Sequence, residues 1–144
     1  MSQENVEVVR SVFEPLEGIN LAAIDWGLDE VRDALGQAYS PDVQLTTLAS
    51  GVATGVESFY EGPDGVVAYL RAWFEPFSEY FVDNLDFFEE GGSVLVPSRQ
   101  WGVGASSGVR TEIELTTLYE VRDGKIVRLH QFDTLAEAKE AAQA

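Results

Sequence analysis

The stretch DGKIVRLHQFD, residues 123–133, contains the only histidine of the 144-residue chain, His130. Histidine has an ordinary pKa close to neutral pH, so His130 is the first candidate for proton transfer. The same stretch ends at Asp133, and Arg99 lies on an earlier predicted strand. Because alternate residues of a strand point to opposite faces of a sheet, the face that each side chain takes decides whether it can do chemistry.

The Asp123–Gly124 pair separates the last two predicted strands and is typical of a tight hairpin turn. A two-residue turn would pair Arg122 with Lys125, whereas a type I turn with a glycine bulge would pair Val121 with Lys125. The two registers differ by one residue, which moves a whole strand to the other face. Hydrophobicity favours the second register.

The favoured register divides this hairpin into an apolar inner face and a mixed outer face. His130 then points outward beside Arg128, where we expect contact with solvent or another subunit rather than catalysis. The inner face takes the more apolar set, Leu115, Thr117, Tyr119, Val121, Val127, Leu129 and Gln131.

The preceding hairpin is expected to pair Val103 with Val109 across the GASS loop. This register turns Arg99 and Trp101 inward. Asp133 then lies two strands away from Arg99, roughly 10 Å by sheet geometry, which an arginine side chain can span. We therefore predict Arg99 and Asp133 as a catalytic pair that polarises a substrate or a water; an ion pair that serves only structure is the alternative.

Inward-facing aromatic residues are candidates for lining a binding cavity, because such cavities are commonly apolar with a few polar groups. Packing in the core is the alternative for each of them. Thr117 and Gln131 can add hydrogen bonds that orient a substrate. The predicted substrate-binding residues are Tyr60, Trp73, Phe77, Trp101, Thr117, Tyr119 and Gln131.

Composition excludes several classes of site. The absence of cysteine and the single histidine exclude disulfides, thiolate nucleophiles and histidine-rich zinc sites, and we predict neither a metal nor a cofactor. The net charge of −16 disfavours nucleic acid and anionic membranes as partners. No apolar run approaches the ~20 residues that span a bilayer, and no signal-peptide pattern is present, so we expect a cytoplasmic protein.

Hydrophobic periodicity predicts the elements that must position these residues. A first helix ends at Gly18, a second covers Leu28–Ala38, and a third opens at Pro63. A β-prone VQLTTL run precedes the third helix, and strands follow at about 80–88, 93–103, 109–121 and 125–132. Thr134 then opens a short helix. Pro97 indicates an edge or a bulge, so the register before residue 98 stays open.

Helices gathered early and a meander late predict one α+β domain over residues 1–144, with the helices on one face of a curved sheet. The segments SQENVEVVRSVFE, YSPDV, YEGPDGVVAYLRAWFEPF and YEVRDGKIVRLHQF resemble the SnoaL-like branch of the nuclear transport factor 2-like superfamily over nearly the whole chain. The resemblance implies a cone-like fold, in which a strongly curved, mixed, mostly antiparallel sheet wraps around the N-terminal helices and leaves an internal pocket.

The resemblance also sets expectations for function. Relatives include polyketide cyclases, ketosteroid isomerases, limonene epoxide hydrolases and members without known activity. They usually act on hydrophobic small molecules through pocket carboxylates or histidines, without a metal or organic cofactor. Many are homodimers through the outer face of the sheet, so we expect a homodimer here.

Two positions depart from the pattern of these relatives. Cyclases of this type tend to carry an acid at the position of Gln131, and many SnoaL-like sequences carry histidine at the position of Thr117. Neither an amide nor a hydroxyl of this kind titrates usefully. Two hypotheses follow: a cofactor-independent isomerase, cyclase or hydrolase that uses Arg99 and Asp133, or a non-catalytic ligand-binding or dimeric interaction module.

Overall fold

Four α-helices and a seven-stranded sheet make up the part of the chain that the computed structural model describes, residues 2–48 and 56–143. The helices are α1 (Ser2–Phe13), α2 (Asp29–Ala38), α3 (Gly62–Phe74) and α4 (Leu135–Gln143). The strands are β1 (Tyr39–Thr46), β2 (Phe59–Glu61), β3 (Phe77–Asn84), β4 (Phe88–Glu90), β5 (Ser93–Gly104), β6 (Arg110–Arg122) and β7 (Lys125–Phe132). Two short 3₁₀ turns, Glu14–Leu16 and Leu21–Ala23, connect α1 to α2.

The sheet is mixed and mostly antiparallel, as expected. Its strand order is β2-β1-β7-β6-β5-β3, and β4 pairs with the first residues of β5. Only the β1–β7 pair among the described strands is parallel. The two long strands β5 and β6 therefore lie near the middle of the sheet and present their side chains to both faces.

The turn between β6 and β7 differs from the favoured register. Asp123 and Gly124 both have positive φ, 53° and 78°, so this is a two-residue turn that pairs Arg122 with Lys125. The expected type I turn with a glycine bulge is wrong at this point. The Asp-Gly pair instead takes the turn type whose twist matches that of the two strands.

A bulge at Val127 restores the predicted faces of this hairpin. Val121 pairs with Ile126, but the next pair is Glu120 with Arg128, which leaves Val127 without an opposite residue. Beyond the bulge, Thr117 lies opposite Gln131 and Tyr119 lies opposite Leu129, all on the inner face. The sequence therefore predicts the inner face of β7 correctly beyond the bulge, although the residues pair two positions away from the expected partners.

The β5–β6 hairpin is shifted by one residue from the expected register. Val103 pairs with Arg110, because the loop is closed one step further on, where the Gly104 N–H donates to the Val109 carbonyl at 2.9 Å. A one-residue shift exchanges the faces of a strand. The expected inward placement of Arg99 and Trp101 is therefore wrong: both point to the outer face.

Pro97 causes neither an edge nor a bulge on its β6 side, where pairing runs without interruption from Val94 to Val103. On the other side, the Leu85 N–H donates to the Pro97 carbonyl at 2.8 Å. In a strand, the nitrogen and carbonyl of one residue point to the same side. The missing N–H of proline therefore faces Leu85, the next residue in the β3 register, so the return bond to the Leu85 carbonyl is not made and the β3 pairing ends at Asn84 and Ser98.

The helices cover both faces of the sheet. α1 and α3 pack on the inner face, where buried Val9, Val66 and Trp73 join Val96 and Leu115 in the main core. The expectation that all helices lie on one face is wrong for α4, whose Ala138 and Ala142 pack on Leu95 and Leu118 of the outer face. None of the helices in the described residues has both the length and the apolar character that crossing a bilayer requires.

The capping interaction predicted at the start of α4 is confirmed. The Glu137 N–H donates to Thr134 Oγ1 at 3.1 Å, and Thr134 Oγ1 donates to Glu137 Oε1 at the same distance. This cap starts the helix directly after β7. The helix is thereby turned back onto the outer face of the strands that precede it.

Gly102 provides a test of the β5–β6 register. In this register Gly102 faces inward, and an added Cβ would lie 2.7 Å from ring carbons of both Phe77 and Tyr80. Gly102→Ala should therefore lower the free energy of unfolding by about 1–3 kcal/mol, the usual effect of overpacking. Urea denaturation at neutral pH measures this change.

Gly36→Ala is the matched control, because a Cβ on Gly36 in α2 meets nothing within 4 Å. This variant should be as stable as the original or up to about 1 kcal/mol more stable, since alanine is the better helix former. Equal stability of Gly102→Ala and the original protein would show that residue 102 does not face the aromatic rings, and the register would be wrong.

Candidate functional site

A cavity of about 110 Å³, the inner cavity, lies between the helices and the inner face of the sheet. Its wall is mainly apolar, with side chains from α1, α3 and the inner positions of β3, β5, β6 and β7. The polar residues in the wall are Tyr39, Tyr69, Asn84, Ser98, Gln100, Thr117, Tyr119 and Gln131.

The side-chain amide of Gln131 joins three parts of the fold at one end of the inner cavity. Its Oε1 accepts a hydrogen bond from the Leu48 backbone N–H at 2.9 Å, just beyond β1. Its Nε2 donates to Tyr69 Oη in α3 at 2.5 Å. A backbone N–H can only donate, so the orientation of the amide is fixed by the chemistry of its partners.

This arrangement gives the Tyr69 hydroxyl a defined role. Because Nε2 of Gln131 can only donate, Tyr69 Oη accepts in that bond, and no other described residue accepts the Tyr69 hydrogen, which can therefore donate to a ligand. Burial raises the pKa of Tyr69 well above its ordinary value, while the Gln131 hydrogen bond acts in the opposite direction. Tyr69 is therefore a neutral hydrogen-bond donor near neutral pH.

A second polar chain crosses the wall from β3 to β6. Tyr80 Oη donates to Gln100 Oε1 at 2.6 Å, Gln100 Nε2 donates to Ser98 Oγ at 3.0 Å, and Ser98 Oγ donates to the Leu115 carbonyl at 3.3 Å. Burial raises the pKa of Tyr80 to about 12, although a hydrogen bond with Trp73 lowers this pKa. Each of the three side chains donates to an acceptor within the protein, so this series of hydrogen bonds connects β3, β5 and β6.

Two more tyrosines complete the polar wall. Burial raises the pKa of both Tyr39 and Tyr119, and the neighbouring Tyr39 and Tyr69 raise the pKa of Tyr119 further. A hydrogen bond with Thr117 opposes the rise at Tyr119. Thr117 thus acts on its neighbour in the strand and not as a proton carrier.

Asn84 marks the rim of the cavity. Its Nδ2 donates to the Phe13 carbonyl at 3.4 Å and to Glu17 Oε2 at 2.9 Å. The carboxylate of Glu17 is exposed and bonds to Asn84 outside the wall. Glu17 therefore reaches the cavity only through the amide of Asn84.

The wall of the inner cavity contains no Asp, Glu, Lys, Arg or His among the described residues. No group of three or more His, Asp or Glu side chains in residues 2–48 and 56–143 is placed to hold a metal ion. The chemistry that this wall supports is hydrogen bonding by neutral groups together with apolar contact.

The structure brings four of the predicted binding residues into the cavity wall: Trp73, Thr117, Tyr119 and Gln131. Their contact with a ligand stays a prediction. Tyr60 and Phe77 lie outside the wall. Tyr60 Oη accepts from the Glu57 N–H at 2.8 Å, and the Phe77 ring packs 4.9 Å from the ring of Tyr80.

The predicted Arg99–Asp133 pair is not formed, because the register of β5 places Arg99 on the other face. Its side chain is 54% exposed, and its Nε lies 4.0 Å from Glu114 Oε2. Asp133 is exposed and follows the end of β7. Trp101 is also on the outer face, where its ring stacks on Phe81 at 4.6 Å.

The outward orientation predicted for His130 is confirmed. His130 lies opposite Leu118, which packs under α4, and its ring stacks on Phe132 at 4.2 Å. Burial, followed by the charge of Arg128, lowers the pKa of His130. His130 is thus separated from the inner cavity by the thickness of the sheet.

Sequence reasoning missed five polar residues of the cavity wall: Tyr39, Tyr69, Asn84, Ser98 and Gln100. Ser98 and Gln100 could have been predicted as wall residues, because they alternate with Arg99 and Trp101 along β5. In the register with Val103 opposite Arg110 they take the inner face instead of those two residues. Tyr69 belongs to the apolar stripe of the α3 sequence. Only its contact with Gln131, which lies 62 residues away in sequence, distinguishes it from a core residue.

The buried tyrosines lead to a pH prediction. Tyr39, Tyr69, Tyr80 and Tyr119 have pKa values raised above 10 in the folded protein, so the unfolded chain loses these protons first as pH rises. Their contribution to stability is therefore complete below pH 10 and is lost as pH rises from 10 through the folded pKa values. Phenolate absorbance during a base titration, with urea unfolding at each pH, measures both effects.

In denaturant these four tyrosines should titrate together near the ordinary value of about 10. In the folded protein, titration of the four should begin above that pH and coincide with unfolding. Reversible ionisation of three or more tyrosines near pH 10 without loss of structure would show that the cavity wall is open to water.

Comparisons with known proteins can now be set beside this geometry. The model of the SnoaL-like domain family matches residues 22–129. No curated protein sequence matches the chain.

Three solved structures illustrate the likeness in fold. A protein from Jannaschia sp. CCS1 assigned to the SnoaL-like polyketide cyclases is 23% identical with a TM-score of 0.69, covering 99% of this chain and 94% of that one. A nuclear transport factor 2-like protein of unknown function from Burkholderia pseudomallei K96243 is 19% identical with a TM-score of 0.70, covering 100% of both chains. An epoxide hydrolase of the LEH-like type from M. tuberculosis is 16% identical with a TM-score of 0.60, covering 98% and 90%. These structures confirm the cone-like α+β fold.

Proposed function

Because the chain belongs to the SnoaL-like family, we propose that it binds a small, neutral, largely apolar molecule whose oxygen atom accepts a hydrogen bond from Tyr69. One observation carries the proposal: the described wall of the inner cavity is apolar and holds polar groups that are all neutral. An unpaired charge would lose its hydration there without gaining a partner of opposite sign. A carbonyl or ether oxygen fits such a site, and a carboxylate or an amine does not.

The net charge of the chain supports the same conclusion. At −16 the surface repels anions before they reach any site, which also argues against nucleic acids and anionic membranes as partners. A neutral ligand is unaffected by this field. Binding without acid–base chemistry is the function that the cavity supports best.

Electrophilic catalysis is the second candidate, favoured by the hydroxyl hydrogen of Tyr69, which no described residue accepts. A neutral donor aimed at a carbonyl oxygen stabilises the negative charge that develops when a neighbouring C–H proton is removed. Removal of that proton needs a base, and the described wall of the cavity contains none. This absence is the reason to prefer the binding function.

Short 2-alkanones, 2-butanone and 2-pentanone, are suitable probes, because each is neutral and has one carbonyl oxygen. Tyr69→Phe should weaken their binding about 2- to 12-fold, the effect of one hydrogen bond worth about 0.5–1.5 kcal/mol. Calorimetric titration measures the dissociation constants. Tyr60→Phe is the matched control and should leave them unchanged, since the Tyr60 hydroxyl lies outside the cavity wall.

The same ketones in D₂O distinguish binding from catalysis. Exchange of the hydrogens next to the carbonyl should proceed at the buffer rate in the presence of the protein. Exchange that is faster than in buffer and is lost in Tyr69→Phe would establish the catalytic candidate instead. Binding that is equal in Tyr69→Phe and in the original protein would contradict the proposed site.

The outer face of the sheet is the proposed homodimer surface. Trp101 and Phe81 form a stacked pair there, and the Arg110 guanidinium lies 4.1 Å above the ring of Trp101. Val109, at 60% exposed, extends the apolar area, and Glu112 and Glu114 lie beside Arg110 and Arg99. A surface with an apolar centre and a charged rim is suited to a self-complementary dimer interface.

Light scattering should give a mass near twice 15.8 kDa for the original protein. Trp101→Glu should give the monomer mass with unchanged circular dichroism, because a carboxylate cannot be buried at such a centre without a partner. Glu140→Gln, on the exposed side of α4, is the control and should stay dimeric. A monomer mass for the original protein at its highest soluble concentration would contradict the dimer.

A further inference from the structure

The inner cavity is too small to hold an ordinary ligand by itself. Its volume is about 110 Å³, smaller than the engineered cavity of about 150 Å³ that takes up benzene. Pockets that bind small molecules generally have about 300–1,000 Å³. The inner cavity therefore accommodates one end of a ligand, and the remainder must lie elsewhere.

An apolar groove of about 660 Å³, the α1–α2 groove, lies next to the inner cavity. Its apolar wall comes from Val8 and Val12 of α1, Ile24 of the connecting segment, and Val31, Leu35 and Ala38 of α2. Glu30 is the only charged residue among the described residues that line it. The groove thus matches the inner cavity in character and has the volume that the inner cavity lacks.

Leu16 and Trp26 line both spaces and form the wall between them. Trp26 is held in place by a hydrogen bond from its Nε1 to the Leu21 carbonyl at 3.3 Å, and its ring stacks on Phe74 at 5.7 Å. A second hollow, of about 460 Å³, also reaches Trp26 and Phe74. That hollow is lined by the charged residues Asp25, Arg71 and Glu75, so it suits an apolar chain less well than the groove does.

We propose that the α1–α2 groove binds the apolar body of an elongated neutral molecule, whose oxygen-bearing end passes Leu16 and Trp26 into the inner cavity. This inference rests on the proposed function, because it places the ligand oxygen at Tyr69. The ligand class is a long-chain ketone, ether or alcohol. The corresponding carboxylic acids are disfavoured, since Glu30, the only charged residue among the described residues of the groove, has the wrong sign.

A homologous series of 2-alkanones, from 2-butanone to 2-dodecanone, tests this arrangement. In the original protein each added methylene should tighten binding about fourfold, as burial of apolar surface does, well beyond the length that the inner cavity holds. Ala34→Trp, on an exposed groove position of α2, should fill the groove and remove this gain for long ketones only. Gln37→Trp, at another exposed groove position, should do the same.

Ala68→Trp is the matched control. Ala68 is an exposed alanine of α3 outside the groove and outside the inner cavity, so this variant should keep the full dependence on chain length. Circular dichroism of all three variants establishes that each is folded.

The outcomes separate this inference from the function on which it rests. If 2-butanone binds in a Tyr69-dependent way but affinity does not rise with chain length, or rises equally in Ala34→Trp, the groove is not used and only the inference is overturned. If none of the ketones binds, both are overturned. A gain with length that is lost in Ala34→Trp and Gln37→Trp and kept in Ala68→Trp supports it.

Discussion

The hydrogen-bonded amide of Gln131 is the interaction on which the site depends. It joins the end of β1, the middle of α3 and the inner face of β7 through two bonds, to the Leu48 N–H and to Tyr69 Oη. An unpaired buried N–H would cost about 1–3 kcal/mol, so the amide keeps both bonds. Because the amide donates to Tyr69, the tyrosine hydrogen is not used in this bond and can donate to a ligand. A carboxylate at this position could not donate in this way near neutral pH, and Tyr69 would then donate to it.

The glutamine at position 131 also bears on how this chain compares with its family. The sequence places an amide at a position where the resemblance to cyclases predicts an acid, and the structure shows which bonds the amide makes. It converts a candidate proton carrier into a fixed donor within a wall that contains no charge among the described residues. Family membership and fold are therefore compatible with a cavity that recognises a ligand by neutral hydrogen bonds.

Much of the fold was predictable from the sequence, because helical and strand periodicity report burial directly. The resemblance of the RDGKIVRL segment predicted the cone-like arrangement, and the faces of β6 and most of β7 were correct. The site was less predictable, because the strand register decides which face of the sheet each side chain lies on. The GASS loop closes one residue later than expected. This shift places Arg99 and Trp101 of β5 on the outer face and Ser98 and Gln100 on the inner face. Neither periodicity nor polarity decides between these two faces when both carry mixed residues.

A crystal structure of the protein with 2-octanone bound tests the central claim most directly. The account predicts the carbonyl oxygen within hydrogen-bond distance of Tyr69 Oη, the Gln131 amide unchanged between Leu48 and Tyr69, and the alkyl chain passing Trp26 toward α2. A ketone bound on the outer face of the sheet, or a carbonyl held by Gln131 after its bond to Tyr69 has broken, would contradict it.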